Sequence, residues 1–375
     1  MYCLPFRRRE TAAAFFSLLA LAGCSNRPAH TSVDVKEVLA TQPVTDDADD
    51  PAIWVHPDDP SKSLIIGTNK VAAPAGAVVV FNLDGTIRQT IARIDRPNNI
   101  DVEYGLTLRG RQADIAVATE RLKSRLRVFL IPADGSPLTD ISSPEGAHIL
   151  QGEAGELAEP MGIALYRRPS DGAIFAIVAP KNGPRQGYLR QYRLEDDGTG
   201  KVKTTHVRRF GNFSGSKEIE AVAVDDELGF VYYADEGSGI HKWHADPDHP
   251  AAARELAHFG LKEFAGDREG IAIYSMPGGK GYVICTDQIA GNTHYHIYRR
   301  EGGPAGPHDH VEMLKCIRGG ADSTDGLEAT SRPLGPHFPA GLVVVMNSGP
   351  KNFLLFKWED FRDAGQPLQS PGRNP

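Results

Sequence analysis

The chain has 375 residues with 41 Lys or Arg against 48 Asp or Glu, a formal net charge of −7. That balance excludes a basic nucleic-acid footprint, so nucleic acid is not expected as a partner. An acidic protein that handles anionic groups needs bound cations to reverse its local field.

The N-terminus carries Arg7-Arg8-Arg9, then an apolar run from Ala12 to Leu21, then Ala22-Gly23-Cys24. The run is too short to span a bilayer as a mature helix, and small residues before a cysteine match a lipoprotein cleavage site. Residues 1–23 are therefore expected to be a signal peptide and Cys24 the lipidated terminus, with an ordinary secretory signal as the alternative. The expected location is the bacterial cell envelope, with the lipid anchor the only membrane contact and Ser25 pointing to the outer membrane. Cys285 and Cys316 then remain, and an oxidising compartment permits a bridge between them without requiring one.

Beyond a linker over residues 24–40, six units repeat at blade length. Each begins with an acidic residue, then a short apolar strand, a turn and a second apolar strand. The first unit has Asp49-Asp50 before Ala52-Ile53-Trp54-Val55, and then Leu64-Ile65-Ile66. The next open at Asp101, Glu159, Glu220 and Glu269, and the sixth has Asp325 before Leu342-Val343-Val344-Val345. Third strands such as Val78-Val79-Val80-Phe81 precede Gly- or Asp-rich turns, and no helical period intervenes. The pattern predicts an all-β, six-bladed β-propeller over residues 41–362, with four-stranded antiparallel blades around a central channel and a tail at 363–375. Paired β-sandwiches are the alternative, but they do not require one residue class at one place in every unit. Little chain follows Phe353 to Trp358, so Ser32-Val33-Asp34-Val35 is expected to close the ring as the outer strand of the last blade.

With each first strand innermost, Asp50, Asp101, Glu159, Glu220, Glu269 and Asp325 form a carboxylate ring at one rim of the channel, with Asp49, Glu218 and Asp267 beside it. Converging like charges raise one another's pKa unless cations neutralise them. An oxygen-only set points to several calcium ions before zinc, the alternative being a solvated acidic rim. Where the second strands end stand Lys70, Arg121 and Lys181, followed by Asp235-Glu236, Asp287-Gln288 and Asn347. Cations beside metal-binding carboxylates make a phosphate clamp. No phosphohistidine, cysteine-phosphatase, Walker A or nucleophile-elbow motif occurs, which leaves metal-activated water as the route to phosphate-ester hydrolysis. His294-Tyr295-His296 and His308-Asp309-His310 read as strand-surface and loop residues, with metal ligation there the alternative.

At these residues the chain resembles the β-propeller phytases, the calcium-dependent alkaline family. The resemblance is densest at Asp49-Asp50-Pro51-Ala52-Ile53-Trp54-Val55-His56-Pro57 and continues through Thr68-Asn69-Lys70, Asn98-Asn99-Ile100-Asp101, Asp267-Arg268-Glu269-Gly270 and Thr324-Asp325-Gly326. It implies a monomeric enzyme that releases phosphate from phytate or calcium-phytate. By motif match Asp50, Glu220, Glu236, Asp267, Glu269 and Asp325 look like calcium ligands, and Lys70, Arg121 and Lys181 like phosphate binders. Glu220, Asp325, Lys70 and Arg121 are the expected catalytic set. Val71 stands where the family has a second lysine, Met161 where it has a tyrosine and Asn182 where it has an acid. Losing a phosphate-holding cation costs affinity more than chemistry. Two other readings compete: a metal-dependent lactonase or esterase, which leaves Lys70, Arg121 and Lys181 unexplained, and an envelope propeller that only binds.

Overall fold

Runs such as Val78-Val79-Val80-Phe81 show no alternation, so they are stable as strands only where both faces are covered. A computed structural model describes residues 33–364, and there these runs form six sheets of four antiparallel strands, with one strand added to the fifth. The first strands of the units are Ala48–Trp54, Pro97–Leu108, Pro160–Arg167, Val222–Asp225, Ile271–Met276 and Leu327–Thr330. Each packs against the next and the last against the first, so they line a central channel. The fold is the expected six-bladed propeller.

Six apolar clusters fill the six gaps between blades, one per gap. Trp54, Ile66 and Val80 of blade 1 meet Ile100 and Phe129 of blade 2 on one face, while Ile53, Ile65 and Phe81 meet Val344 and Phe353 of blade 6 on the other. Adjacent residues of one strand thus serve two interfaces, which is why both must be apolar.

Closure of the ring differs from expectation. Leu39–Ala40, not residues 32–35, pairs antiparallel with Asn352–Lys357 and completes blade 6. Val33–Asp34 instead joins Met313–Arg318 in parallel and becomes a fifth strand of blade 5. The segment therefore ties down two blades, because the residues between these short strands let it step across the 5/6 gap.

The seam between blades 1 and 6 also depends on Gly67, where a Cβ would come within 2.4 Å of the fully buried Phe353 ring. Gly67→Ala is expected to cost about 1–3 kcal/mol, the usual penalty of overpacking, measured as a lower denaturant midpoint with unchanged slope.

Cys285 and Cys316 are free. Both stand opposite His296, on the strands either side of it. Two strand spacings separate their backbones by about 9–10 Å, beyond disulfide reach. The expected signal peptide and Cys24 fall outside the described residues.

Candidate active site

Antiparallel pairing brings the start of each first strand beside the end of its second. Ala48 pairs with Asn69, Pro97 with Glu120 and Pro160 with Pro180. Asp49 and Lys70 therefore emerge together, as do Asn98 and Arg121, and Glu159 and Lys181. The rim positions inferred from the repeat share one edge of the disc.

They meet in a network that crosses the channel mouth. The Lys70 ammonium pairs with Asp49, lies 3.3 Å from Asp325 Oδ2 and 4.0 Å from Glu220 Oε1, and so joins blades 1, 4 and 6. Asn98 donates to Glu220 and accepts from Arg121 NH1 at 3.4 Å. Arg121 Nε donates to Glu159 Oε2 at 2.9 Å, and Gln288 donates to Asp325 Oδ1 at 2.6 Å. Lys181 stands farther out, 3.4 Å from Glu156 and 3.9 Å from Glu218. All six blades thus contribute.

Gly326 makes the approach possible. A Cβ there would lie 2.3 Å from Asp50 Oδ1 and 3.0 Å from Asp49 O, so any larger residue would push Asp325 away from Lys70.

Charge in this network is unbalanced towards acid. Burial pulls the Lys70 pKa down, yet Asp49, Glu220 and Asp325 more than offset it and hold it well above its usual value. Burial, only partly relieved by Lys70, lifts Glu220 to about 7 and Asp325 to about 8. Next to them Glu236, Asp267 and Glu269 each bring a carboxylate oxygen within 4.8 Å of the others. Burial and then the neighbouring Asp267 and Glu218 carry Glu236 to about 8; burial and then Glu220 and Glu236 raise Glu269 well above its usual value. Asp49 Oδ2 is buried without a hydrogen-bond partner. Repelling carboxylates, an orphaned buried oxygen and an oxygen-only donor set fit hard divalent cations.

Asp50 and Asp101 do not join this group. They turn into the channel, where Asp50 Oδ2 accepts from Ile100 N at 3.0 Å and Asp101 Oδ2 from Leu165 N at 2.7 Å. Each therefore ties its first strand to that of the next blade. With Glu328 they make a second, deeper acidic group, in which burial raises Asp101 to about 6, while burial and then Asp101 raise Glu328 to about 8. Glu159 is likewise engaged by Arg121 rather than by other carboxylates. The single expected ring is thus two levels, with Asp49 rather than Asp50 at the rim.

Lys217, which pairs with Asp267, Asn98, which links Arg121 to Glu220, and Glu328 were not anticipated. Asn98 opens the Asn98-Asn99-Ile100-Asp101 motif and Glu328 follows Asp325-Gly326, a signal that was available for both; Lys217 is marked only by preceding Glu218.

The phytase family model matches residues 9–366. The 3-phytase of Bacillus subtilis (strain 168) is 33% identical over 336 residues, 85% of this chain and 82% of that protein. The chain belongs to the phytase family. It is a phosphoric monoester hydrolase, which decides against the lactonase and pure-binding readings. Among solved structures this phytase is similar to the Cps50 (Swd1) β-propeller domain of Myceliophteria thermophila, with a TM-score of 0.44 and 12% identity over 83% of each chain. A nidogen/laminin complex chain gives 0.41 and 12% over 79% of this phytase and 94% of that chain. Likenesses that distant carry no argument about the site.

Proposed function

We propose that this phytase releases phosphate from phytate in a calcium-dependent reaction at the channel mouth, by direct attack of water. The observation that carries the reading is Lys70 in ion-pair reach of Asp49, Glu220 and Asp325, beside the Glu236, Asp267 and Glu269 cluster. The carboxylates of Asp49, Glu220, Glu236, Asp267, Glu269 and Asp325 would hold the ions. Calcium when bound lowers the pKa of water and neutralises charge on the phosphoryl oxygens.

The protein's own groups orient the substrate. Lys70 places a point charge amid the acidic group, and Arg121, braced by Glu159 and Asn98, offers the guanidinium edge not used by these partners. Lys181, the most exposed of the three, would receive a neighbouring phosphate. Val71 supplies no second cation, so binding of a second phosphate rests on fewer charges.

The deciding assay is phosphate release from phytate and from simple phosphomonoesters, with calcium and then with chelator. Release with calcium that chelator abolishes supports the proposal; no release with calcium present overturns it. Lys70→Ala is expected to raise KM by about tenfold, the loss of one charge-assisted contact of about 1.5–3 kcal/mol, while calcium binding stays within a few-fold. An equal loss of both would mean that Lys70 serves the ions and not the phosphate. On the leader sequence, we infer lipidation at Cys24, checked by loss of membrane association in Cys24→Ala.

A further inference from the structure

Away from the channel, the face of blade 5 turned to blade 4 carries chemistry that phosphate hydrolysis does not use. His294 and His296 are two residues apart on the strand His294–Arg299 and so point to the same side. Cys316 stands directly opposite His296 on the adjoining strand. One imidazole nitrogen from each histidine and the Cys316 sulfur lie within 4.8 Å of one another. The His-Tyr-His segment is a strand, as expected, but not a surface one: Tyr295 and His296 are buried.

His296 is 2% exposed, and its Nδ1 has no hydrogen-bond partner. Its Nε2 lies 3.6 Å from Asp287 Oδ2, also buried. That contact is longer than a hydrogen bond, but a negative charge on this side of the ring favours the proton on Nε2 and leaves the lone pair on Nδ1. A buried nitrogen without a partner is costly unless something coordinates it. Phe264 packs on the ring with centroids 4.2 Å apart, which fixes the imidazole plane.

We propose that His294, His296 and Cys316 form a second metal site, for one borderline-soft divalent ion of the zinc class. Two imidazoles and a thiolate are the donors such ions select, and calcium does not compete for them. A tetrahedral ion with bonds of about 2.0–2.3 Å holds its donors about 3.3–3.8 Å apart, so small side-chain movements close the set. Binding replaces the Cys316 proton, which leaves to solvent, and the half-exposed side at His294 leaves a fourth position for water. The site has a structural consequence for catalysis. The Asp287 carboxylate beside His296 accepts from Gly266 N at 2.6 Å and Ala265 N at 3.1 Å, and so holds the loop that delivers Asp267 and Glu269.

The test uses the full chain, stripped of transition metals and saturated with calcium, titrated with Co2+. One equivalent is expected to produce a near-ultraviolet thiolate-to-cobalt charge-transfer band that Zn2+ abolishes. Cys316→Ser, which keeps the other three cysteines, is expected to remove the band, and Glu236→Gln to leave it. Absence of the band, or its survival in Cys316→Ser, overturns the proposal. Should Cys316→Ser not fold, His294→Gln is expected to weaken cobalt binding by at least about tenfold, and unchanged affinity would overturn it equally.

Discussion

Asp325→Asn and Glu220→Gln are each expected to lower calcium-dependent phosphate release by at least about 100-fold. Groups that only orient a ligand cost about 10–100-fold when lost, and a direct ligand costs no less. Both substitutions keep shape and remove charge. Asn at 325 can still accept the hydrogen bond from Gln288, which is 2.6 Å away, so local structure is retained. Stability separates this outcome from simple unfolding. Each carboxylate is held at a raised pKa, about 8 for Asp325 and about 7 for Glu220, so its charge is unfavourable without a cation. The metal-free variants are therefore expected to melt at or above the native temperature, while the rise in Tm on adding calcium shrinks. Activity within tenfold of native in both variants would remove them from the site.

How far the site could be seen in advance depended on what a repeat reports. Strand starts and ends recur at fixed places, so the alignment of Lys70, Arg121 and Lys181 with the acidic positions follows from antiparallel pairing alone. Depth does not. The first strands of blades 1, 2 and 3 each carry a register shift near their start, at Ala48/Pro51, Pro97/Ile100 and Pro160/Ile163. A bulge of this kind re-aims the side chains around it. It is why Asp49 faces Lys70 while Asp50 drops into the channel, a distinction that residue class cannot reveal in Asp49-Asp50. The ring-closing strand was misplaced for a related reason. Ser32 to Val35 and Leu39-Ala40 are both short and mixed, and only the outer edges of two different blades decide which takes which. Cys316 could not be linked to His296, because 20 residues and a turn separate the facing strands.

The same raised carboxylates pull the stability of the metal-free protein down as pH rises, an effect that extends to about 8. It is least opposed above about 6.5, where histidines are neutral in both states. In the unfolded chain Asp and Glu lose their protons near pH 4. In the folded chain Glu220 keeps its proton up to about 7 and Glu236 and Asp325 up to about 8. At these carboxylates the native state binds more protons than the unfolded state within that window, so their contribution falls as the pH rises. Histidines such as His244 and His296, lowered to about 4, oppose this below about 6.5, and Lys242, lowered to about 7, opposes it above that. Asp101 at about 6 and Glu328 at about 8, deeper in the channel, act in the same direction as the other carboxylates. Calcium should invert the trend, because the ions need the deprotonated forms and compete with protons for them. At 100 times its Kd a single bound ion adds about 2.7 kcal/mol, and the Kd itself tightens as pH rises. Melting curves from about pH 6.5 to 8 are therefore expected to diverge, with Tm falling in chelator and the calcium increment growing. Glu236→Gln should flatten the chelator curve by removing one titrating group and shrink the calcium increment at pH 8 more than at pH 6.5. A Tm in chelator that rises over this interval would mean that these carboxylates are already charged and satisfied without metal, and the cation-binding reading of the channel mouth would fall with it.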